Sequence, residues 1–141
     1  AALKQKDTKM NEAEKNSILN HNITNSDVDE YIGFAGRIEE DRIKEEGKEF
    51  NYLSDETFSE VKIDLEKFYS ECVKHVPNIL VSYISQYDYS TFFFDFYLSR
   101  NQEGAGFFSR PINSVDESRY FTELQDIAEA CGEWKYLDHM E

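Results

Sequence analysis

The stretch Thr91-Phe-Phe-Phe-Asp-Phe-Tyr-Leu-Ser-Arg-Asn-Gln-Glu-Gly-Ala-Gly-Phe-Phe-Ser-Arg110 decides the predicted fold. Its first eight residues favour β-structure, and apolar side chains occupy both alternating faces, which is typical of a central strand. A polar turn with Gly104 and Gly106 follows, and glycine permits the backbone geometry of a tight hairpin. A second aromatic pair then begins the return limb. The stretch therefore predicts a β-hairpin in which residues 91–98 form a buried strand.

Helices are predicted before this hairpin. Ser54 caps the clearest one, which carries a broad apolar stripe and which Pro77 ends. An earlier helix begins at Ser26, and its two glycines predict that it is short or irregular. After the proline, residues 79–84 fit either a short helix capped by Asn78 or a strand, because they are rich in β-branched residues.

The C-terminal part of the sequence predicts one more helix and one more strand. A capping box at Ser114–Glu117 opens the helix, and Gly132 stands where a helix-ending glycine belongs. Residues 133–138 alternate between apolar and polar side chains, which predicts a strand. Pairing this strand with residues 91–98 gives an α+β fold. N-terminal helices pack with a small antiparallel sheet of three strands, of which residues 91–98 are central.

The chain of 141 residues is expected to hold one domain. Residues 1–25 are polar and are interpreted as a mobile arm, with at most a short helix near Asn11–Leu19. Residues 26–141 form the single domain. Within it, residues 37–49 are almost entirely charged and fit a loop or a fraying helix. Cys72 and Cys131 lie on apolar helix faces and are expected to be buried free thiols.

The charge of the chain limits its ligands. Its 29 acidic and 15 basic residues give a net charge of −14. Direct binding of nucleic acid is disfavoured, because it requires cationic groups that displace counterions. Anionic membrane surfaces are disfavoured for the same reason, and no apolar run approaches the ~20 residues of a membrane span. A basic partner protein remains, as does a role for the charge in solubility alone.

The hairpin and the last predicted strand carry a family resemblance. The matching residues are Asp95, Phe96, Leu98, Arg100, Asn101, Gly104, Gly106, Phe107, Phe108 and Arg110, with Gly132, Glu133 and Tyr136 further on. This pattern resembles a family of small, mostly uncharacterised bacteriophage proteins over about residues 54–138. The family has a histidine in the turn where this chain has Glu103, and an acid where it has Ser109. The resemblance implies a phage or prophage origin and the cytoplasm of a bacterial host, and it implies no particular activity.

Five polar residues of the hairpin form a candidate ligand site, and this site is the basis of an alternative function as a small-molecule-binding protein or enzyme. They are Asp95, Arg100, Asn101, Glu103 and Arg110. Structural roles are the simpler explanation. Asp and Arg on neighbouring strands commonly pair, Asn shapes turns, and a buried carboxylate such as Asp95 needs a partner. The three histidines lack metal-ligand spacing, and no phosphate-binding or nucleophile motif is present. We therefore expect no catalytic residue, no metal site and no cofactor.

Acidic rows form the main candidate surface. On the last predicted helix the acids on one side are Asp116, Glu123, Asp126 and Glu133, and a helix over residues 39–49 would align Asp41, Glu45 and Glu49. Two such rows would place one carboxylate per ~3 Å, near the 3.4 Å per phosphate along one DNA strand. Together with the resemblance to bacteriophage proteins, these rows lead to the expectation that the chain is an acidic phage accessory protein that mimics DNA.

Its expected partner is a basic host protein that binds nucleic acid, such as a CRISPR effector or a restriction enzyme. A non-mimetic interaction protein is the first alternative, which would bind a host or phage partner through the aromatic surface of the hairpin, with Phe93 and Tyr97 as contacts, or through the tail of the chain.

Overall fold

The computed structural model describes residues 11–47, 53–104, 106–112 and 121–140. These residues form seven α-helices and two short 3-10 segments, and none of them forms a strand. The helices are α1 (Glu12–Leu19), α2 (Asn25–Ile38), α3 (Glu40–Glu45), α4 (Asp55–His75), α5 (Pro77–Gln86), α6 (Tyr89–Asn101) and α7 (Thr122–Ala130), and the 3-10 segments are Gly106–Ser109 and Tyr136–His139. The predicted α+β class is therefore wrong, because the described residues are mostly helical and form no strand.

The predicted central strand is the middle of α6. Asp88 caps this helix, since its carboxylate accepts a hydrogen bond from the backbone N–H of Thr91 at 2.8 Å. Fully buried rings follow at helical spacing: Phe92, Phe93, Phe96 and Tyr97. A short run of apolar residues fits a helix that is buried on all sides as well as it fits a buried strand. The periodicity of the sequence therefore could not distinguish a helix from a strand here. The Asp88 cap was the missed signal.

The predicted hairpin turn is the C-terminal cap of α6. Gln102 has a left-handed backbone with φ of 54°. The N–H of Glu103 returns to the carbonyl of Leu98 at 3.0 Å, as in a Schellman motif. Gly104 and Gly106 also have positive φ, and they turn the chain back toward α6. The return limb is thus a 3-10 segment, in which Phe107 is buried against the helix.

Helix ends were predicted better than strands. The Ser54 side chain accepts from the N–H of Thr57 at 3.1 Å, and α4 ends at His75 before Pro77, as expected. The glycine predicted to end the last helix, Gly132, has φ of 80° directly after α7. The capping box at Ser114–Glu117 lies outside the described residues, and α7 itself begins at Thr122.

Three other expectations about the elements need correction. Helix α2 begins at Asn25, after a Thr24 cap, and it runs for 14 residues despite its glycines. Residues 77–86 are helical, so the strand alternative for residues 79–84 is wrong. The predicted last strand is also wrong, since Tyr136–His139 is a 3-10 segment.

The segment interpreted as an arm is part of the fold from residue 11 onward. The short helix expected there is present as α1, and Ile18 and Ile23 belong to the buried core. The hydroxyl of Tyr69 in α4 donates to the carbonyl of Ile18 at 2.5 Å, which fixes the end of α1. Since buried apolar contacts and a buried hydrogen bond hold residues 18–23, they do not form a separate arm.

The core is a set of stacked aromatic rings around α6. Phe68 of α4 lies parallel to Phe96, with ring centroids 3.8 Å apart, and Tyr83 of α5 meets Phe92 edge to face. Each such ring buries a large apolar area, so α6 has little exposed surface. Cys72 is a buried free thiol as expected, and Cys131 is a half-buried one.

None of the described helices combines the length and the apolar composition that crossing a bilayer requires.

Candidate functional site

Asp95 lies in the middle of α6 and has no exposed surface. Arg110 donates from Nε to Oδ2 at 2.9 Å and from Nη2 to Oδ1 at 3.2 Å. The hydroxyl of Tyr83 donates to Oδ2 at 2.5 Å. The expected pairing of Asp95 with an arginine is confirmed, although it joins a helix to the chain after a 3-10 turn and not two strands. Both carboxylate oxygens of Asp95 are used within the core.

Arg100 is a second internal group, with a side chain that is 3% exposed. Its Nε donates to the carbonyl of Gly132 at 2.8 Å, and its Nη1 donates to the hydroxyl of Tyr31 at 3.2 Å. It also forms an ion pair with Asp64 of α4 and lies 4.5 Å from the ring centroid of Phe96. Burial raises the pKa of Tyr31, so its hydroxyl stays protonated at neutral pH. Arg100 thus ties α6 to α2, α4 and the end of α7.

The side-chain amide of Asn101 forms hydrogen bonds with both backbone groups of Trp134 in the C-terminal segment. Its Nδ2 donates to the carbonyl of Trp134 at 2.9 Å, and its Oδ1 accepts from the N–H of the same residue at 2.9 Å. A second bond from Nδ2 reaches the carbonyl of Tyr97 at 3.0 Å. The predicted strand over residues 133–138 is therefore an irregular stretch held by the Asn101 side chain, followed by the 3-10 segment Tyr136–His139.

Glu103 belongs to a fourth internal group, which includes the buried Glu39. Tyr97 donates to Oε1 of Glu39 at 2.9 Å, and Nη1 of Arg42 lies 3.3 Å from its Oε2. The same Nη1 lies 3.2 Å from Oε1 of Glu103, which Lys135 approaches to 3.6 Å. Two acids and two cations therefore neutralise each other across α2, α3, α6 and the C-terminal segment.

The Glu39 carboxyl is expected to make stability fall as pH rises. Burial is the largest influence on its pKa and raises it; the hydrogen bond from Tyr97 lowers it, and the charge of Glu103 raises it again, so the net pKa is raised. Such a group holds its proton more tightly in the folded state. Its contribution is therefore lost as pH rises from the unfolded pKa of about 4.3 through the folded one.

Glu39→Gln removes this titration, so the free energy of unfolding of the variant relative to that of the wild type is expected to increase as pH rises above about 4.3, the ordinary pKa of a glutamate. Urea unfolding at several pH values measures the difference. Glu45→Gln, on the exposed end of α3, is the control and should show no such trend. A Glu39→Gln difference that is constant with pH would contradict the expectation.

The five polar residues of the predicted hairpin are therefore brought together only in part, and they bind the fold itself. Asp95 and Arg110 form one group, Arg100 a second, Asn101 a third and Glu103 a fourth. They form hydrogen bonds and ion pairs with the chain's own side chains and carbonyls, so the arrangement holds helices together.

The exposed face of α7 has a different character. Glu123, Asp126 and Glu129 follow one another every three residues, which is an axial rise of ~4.5 Å per step, on the side away from the buried Leu124 and Ala128. No Lys or Arg occurs between residues 121 and 134. Within the described ranges, none of these carboxylates takes part in an ion pair.

The predicted acidic rows are present in part. Glu123 and Asp126 lie on α7, Glu133 lies beyond its end after Gly132, and Asp116 is outside the described residues. Glu129 was missed, although its i+3 spacing from Asp126 would have placed it on the same face.

The second predicted row is shorter than expected. Asp41 and Glu45 are exposed and one turn apart on α3, but this helix ends at Glu45 and Gly47 follows with φ of 70°. The row therefore cannot continue along the same helix, and Glu49 lies outside the described residues.

Four cations are paired with buried or partly buried acids: Arg100 with Asp64, Arg110 with Asp95, and Arg42 and Lys135 with Glu39 and Glu103. These pairs are neutral, so the other charged residues of the sequence carry the whole net charge of −14.

Comparison of the chain with models of protein families, with curated proteins and with solved structures finds no match. What this chain does must therefore be argued from its own surface, of which the acidic face of α7 is the most distinctive part.

Proposed function

We propose that this chain is an acidic binding protein that occupies a basic, nucleic-acid-binding surface of a partner protein, and that it does so by DNA mimicry. The acidic face of α7 is the observation that carries the proposal. Three carboxylates follow one another along one helix with an axial rise of ~4.5 Å per step, near the axial rise of 3.4 Å per phosphate along one DNA strand. A surface built to hold phosphates with Lys and Arg presents charges complementary to such a row.

The setting of this activity rests on the resemblance to small bacteriophage proteins. A phage protein that acts on its host works in the bacterial cytoplasm. Among host proteins with basic nucleic-acid clefts, those that defend against phages are the natural targets. The proposal therefore places a CRISPR effector or a restriction enzyme as the partner, and this chain as its inhibitor.

The burial pattern counts against the hairpin contacts that both alternatives use. A non-mimetic contact through Phe93 and Tyr97 lacks a surface, since both side chains are fully buried in α6. A small-molecule site at Asp95, Arg100 and Asn101 lacks available groups, because these residues are bonded within the core. The exposed carboxylates, in contrast, are available to bind a partner.

The α7 carboxylates are expected to be required for partner binding. Neutralising them in the triple variant Glu123→Gln, Asp126→Asn and Glu129→Gln should release a partner captured from bacterial lysate, and double-stranded DNA should displace the same partner from the wild-type chain. Binding should also weaken steeply between about 50 and 200 mM salt, since exposed charges carry it. Affinity capture with mass spectrometry, then competition with purified partner, measures both effects.

A matched triple variant controls for total charge. Asp55→Asn, Glu56→Gln and Glu60→Gln remove the same three charges from exposed positions of α4 and should leave binding unchanged. If both triples weaken binding equally, net charge acts without the α7 row. If DNA fails to displace the partner, or if the partner binds no nucleic acid, the mimicry proposal is wrong.

A further inference from the structure

A cleft with a volume of about 400 Å³ lies between the linker that joins α1 to α2 and the outer face of α4. Its polar wall residues are Asn20, His21, Asn22, Glu66, Tyr69 and Ser70. A second depression shares Glu66 and Ser70 and extends the cleft along α4 to the exposed Ile63. This volume is within the range of small-ligand pockets, and no residue of α7 lines it.

The walls of the cleft are held in place by interactions of their own. His21 stacks on Tyr89 with ring centroids 4.1 Å apart, and its Nε2 lies 2.9 Å from Oδ2 of Asp27. Tyr69 is fixed by its hydrogen bond to the carbonyl of Ile18. A ligand would therefore meet a preformed surface and would lose little free energy in ordering it.

The polar groups of the cleft are rich in hydrogen-bond acceptors. The backbone carbonyls of residues 20–23 accept no hydrogen bond from any described residue. Glu66 forms no ion pair within the described chain, whereas the neighbouring Glu71 lies 3.1 Å from His75. Lys67 faces only the extension of the cleft toward Ile63. Within the described residues, the main cleft is thus lined by a carboxylate without an ion pair and by a linker whose carbonyl groups have no hydrogen-bond donor, and acceptors of this kind suit a cationic donor.

Apolar side chains form the rest of the wall. Leu19, Ile23 and Val73 line the same cleft. The side chains of lysine and arginine bury an aliphatic stem against apolar surface and present a cationic head to acceptors. The lining of this cleft matches both parts of such a side chain.

We propose that this cleft binds one arginine or lysine side chain of a basic partner protein, with Glu66 as its counter-ion and Leu19 and Val73 against its stem. This inference rests on the proposed function in one respect, namely that the partner protein is basic. The cleft itself lies on a different part of the surface from the α7 face. The cleft would bind one side chain of the partner, in addition to the electrostatic attraction between the α7 carboxylates and the basic surface.

The probe for this site is N-acetyl-arginine methylamide, with the citrulline analogue as an uncharged control of nearly the same shape. Titration of the full-length chain, followed by amide chemical shifts, should give saturable changes at His21, Asn22 and Ser70. Binding should weaken about tenfold with citrulline and about tenfold in Glu66→Gln, the size expected for loss of a charge-assisted hydrogen bond. Glu60→Gln, two turns earlier on the exposed side of α4, should bind the probe normally.

The other outcomes are distinguishable. The absence of saturable shifts at these amides, equal binding of citrulline, or normal binding to Glu66→Gln would overturn the proposal. If the probe binds only after Lys4, Lys6 and Lys9 are changed to glutamine, the chain's own lysines occupy the cleft and a partner side chain does not. The α7 triple variant should retain probe binding, so failure of either proposal does not imply failure of the other.

Discussion

Replacing Asp95 with alanine is expected to lower the free energy of unfolding by about 3–5 kcal/mol, the range found when one member of a buried ion pair is removed. The substitution leaves the buried hydroxyl of Tyr83 without its acceptor and Arg110 without its partner, and it opens a void beside α6. Urea unfolding followed by circular dichroism measures the loss.

Two further variants test the origin of this effect. Arg110→Ala leaves the Asp95 carboxylate in the core with Tyr83 alone, and in a double-mutant cycle the two changes should couple by about 0.5–3 kcal/mol. Asp126→Ala, on the exposed face of α7, should change stability by no more than about 0.5 kcal/mol. A loss in Asp95→Ala as small as that of Asp126→Ala would mean that the pair does not hold the core.

Gly106→Ala is expected to cost about 2–5 kcal/mol, because strain and overpacking add at this position. The backbone has φ of 49°, and a Cβ would lie 2.2 Å from Oγ of Ser99 and 3.0 Å from the carbonyl oxygen of Asp95. The chain cannot move away without loss of the hydrogen bond from the N–H of Phe107 to Ser99, which is 3.1 Å long. Thermal and urea unfolding measure the effect.

Two other glycines separate strain from overpacking. Gly47 has φ of 70° with open space around it, so Gly47→Ala should cost only the ~1–2 kcal/mol of a left-handed backbone. Gly33 lies inside α2, where a Cβ meets nothing within 4 Å, and Gly33→Ala should stabilise the protein by about 0.5–1 kcal/mol. Equal losses in Gly106→Ala and Gly47→Ala would show that Ser99 and Asp95 do not crowd residue 106.

Two of the secondary-structure predictions that held concern features with a purely local cause. Ser54 caps α4 because a hydroxyl can accept from the first free N–H groups, and Gly132 ends α7 because glycine accepts a left-handed backbone. Both effects act within a few residues, so the sequence was sufficient to find them.

The strands failed because the central helix lacks the pattern by which helices are usually recognised. Helix α6 is covered on nearly all sides, so its sequence shows no polar face. Phe92 and Phe96 are four residues apart, a spacing that puts two side chains on the same face of a strand and also on the same face of a helix. Only the Asp88 cap, and a length beyond that of an ordinary strand, distinguish the two.

Within the candidate site, the sequence predicted which residue needs a partner better than it predicted which distant residues come into contact. The partner of Asp95 could be predicted, since a buried carboxylate needs a cation whatever the secondary structure. The pairing of Arg100 with Asp64 and the contact of Glu39 with Tyr97 could not, because they join residues 36 and 58 positions apart that only the packing of helices brings together.

The side chains that hold the C-terminal segment also determine how that segment opens. The N–H groups of Trp134 and Tyr136 donate to Asn101 and to the hydroxyl of Tyr97, so two amides of an irregular segment end on side chains of the central helix. These two amides can exchange with solvent deuterium only after their hydrogen bonds to Asn101 and Tyr97 break. We therefore expect the protection of the C-terminal segment to depend on side chains more than thirty positions earlier in the chain.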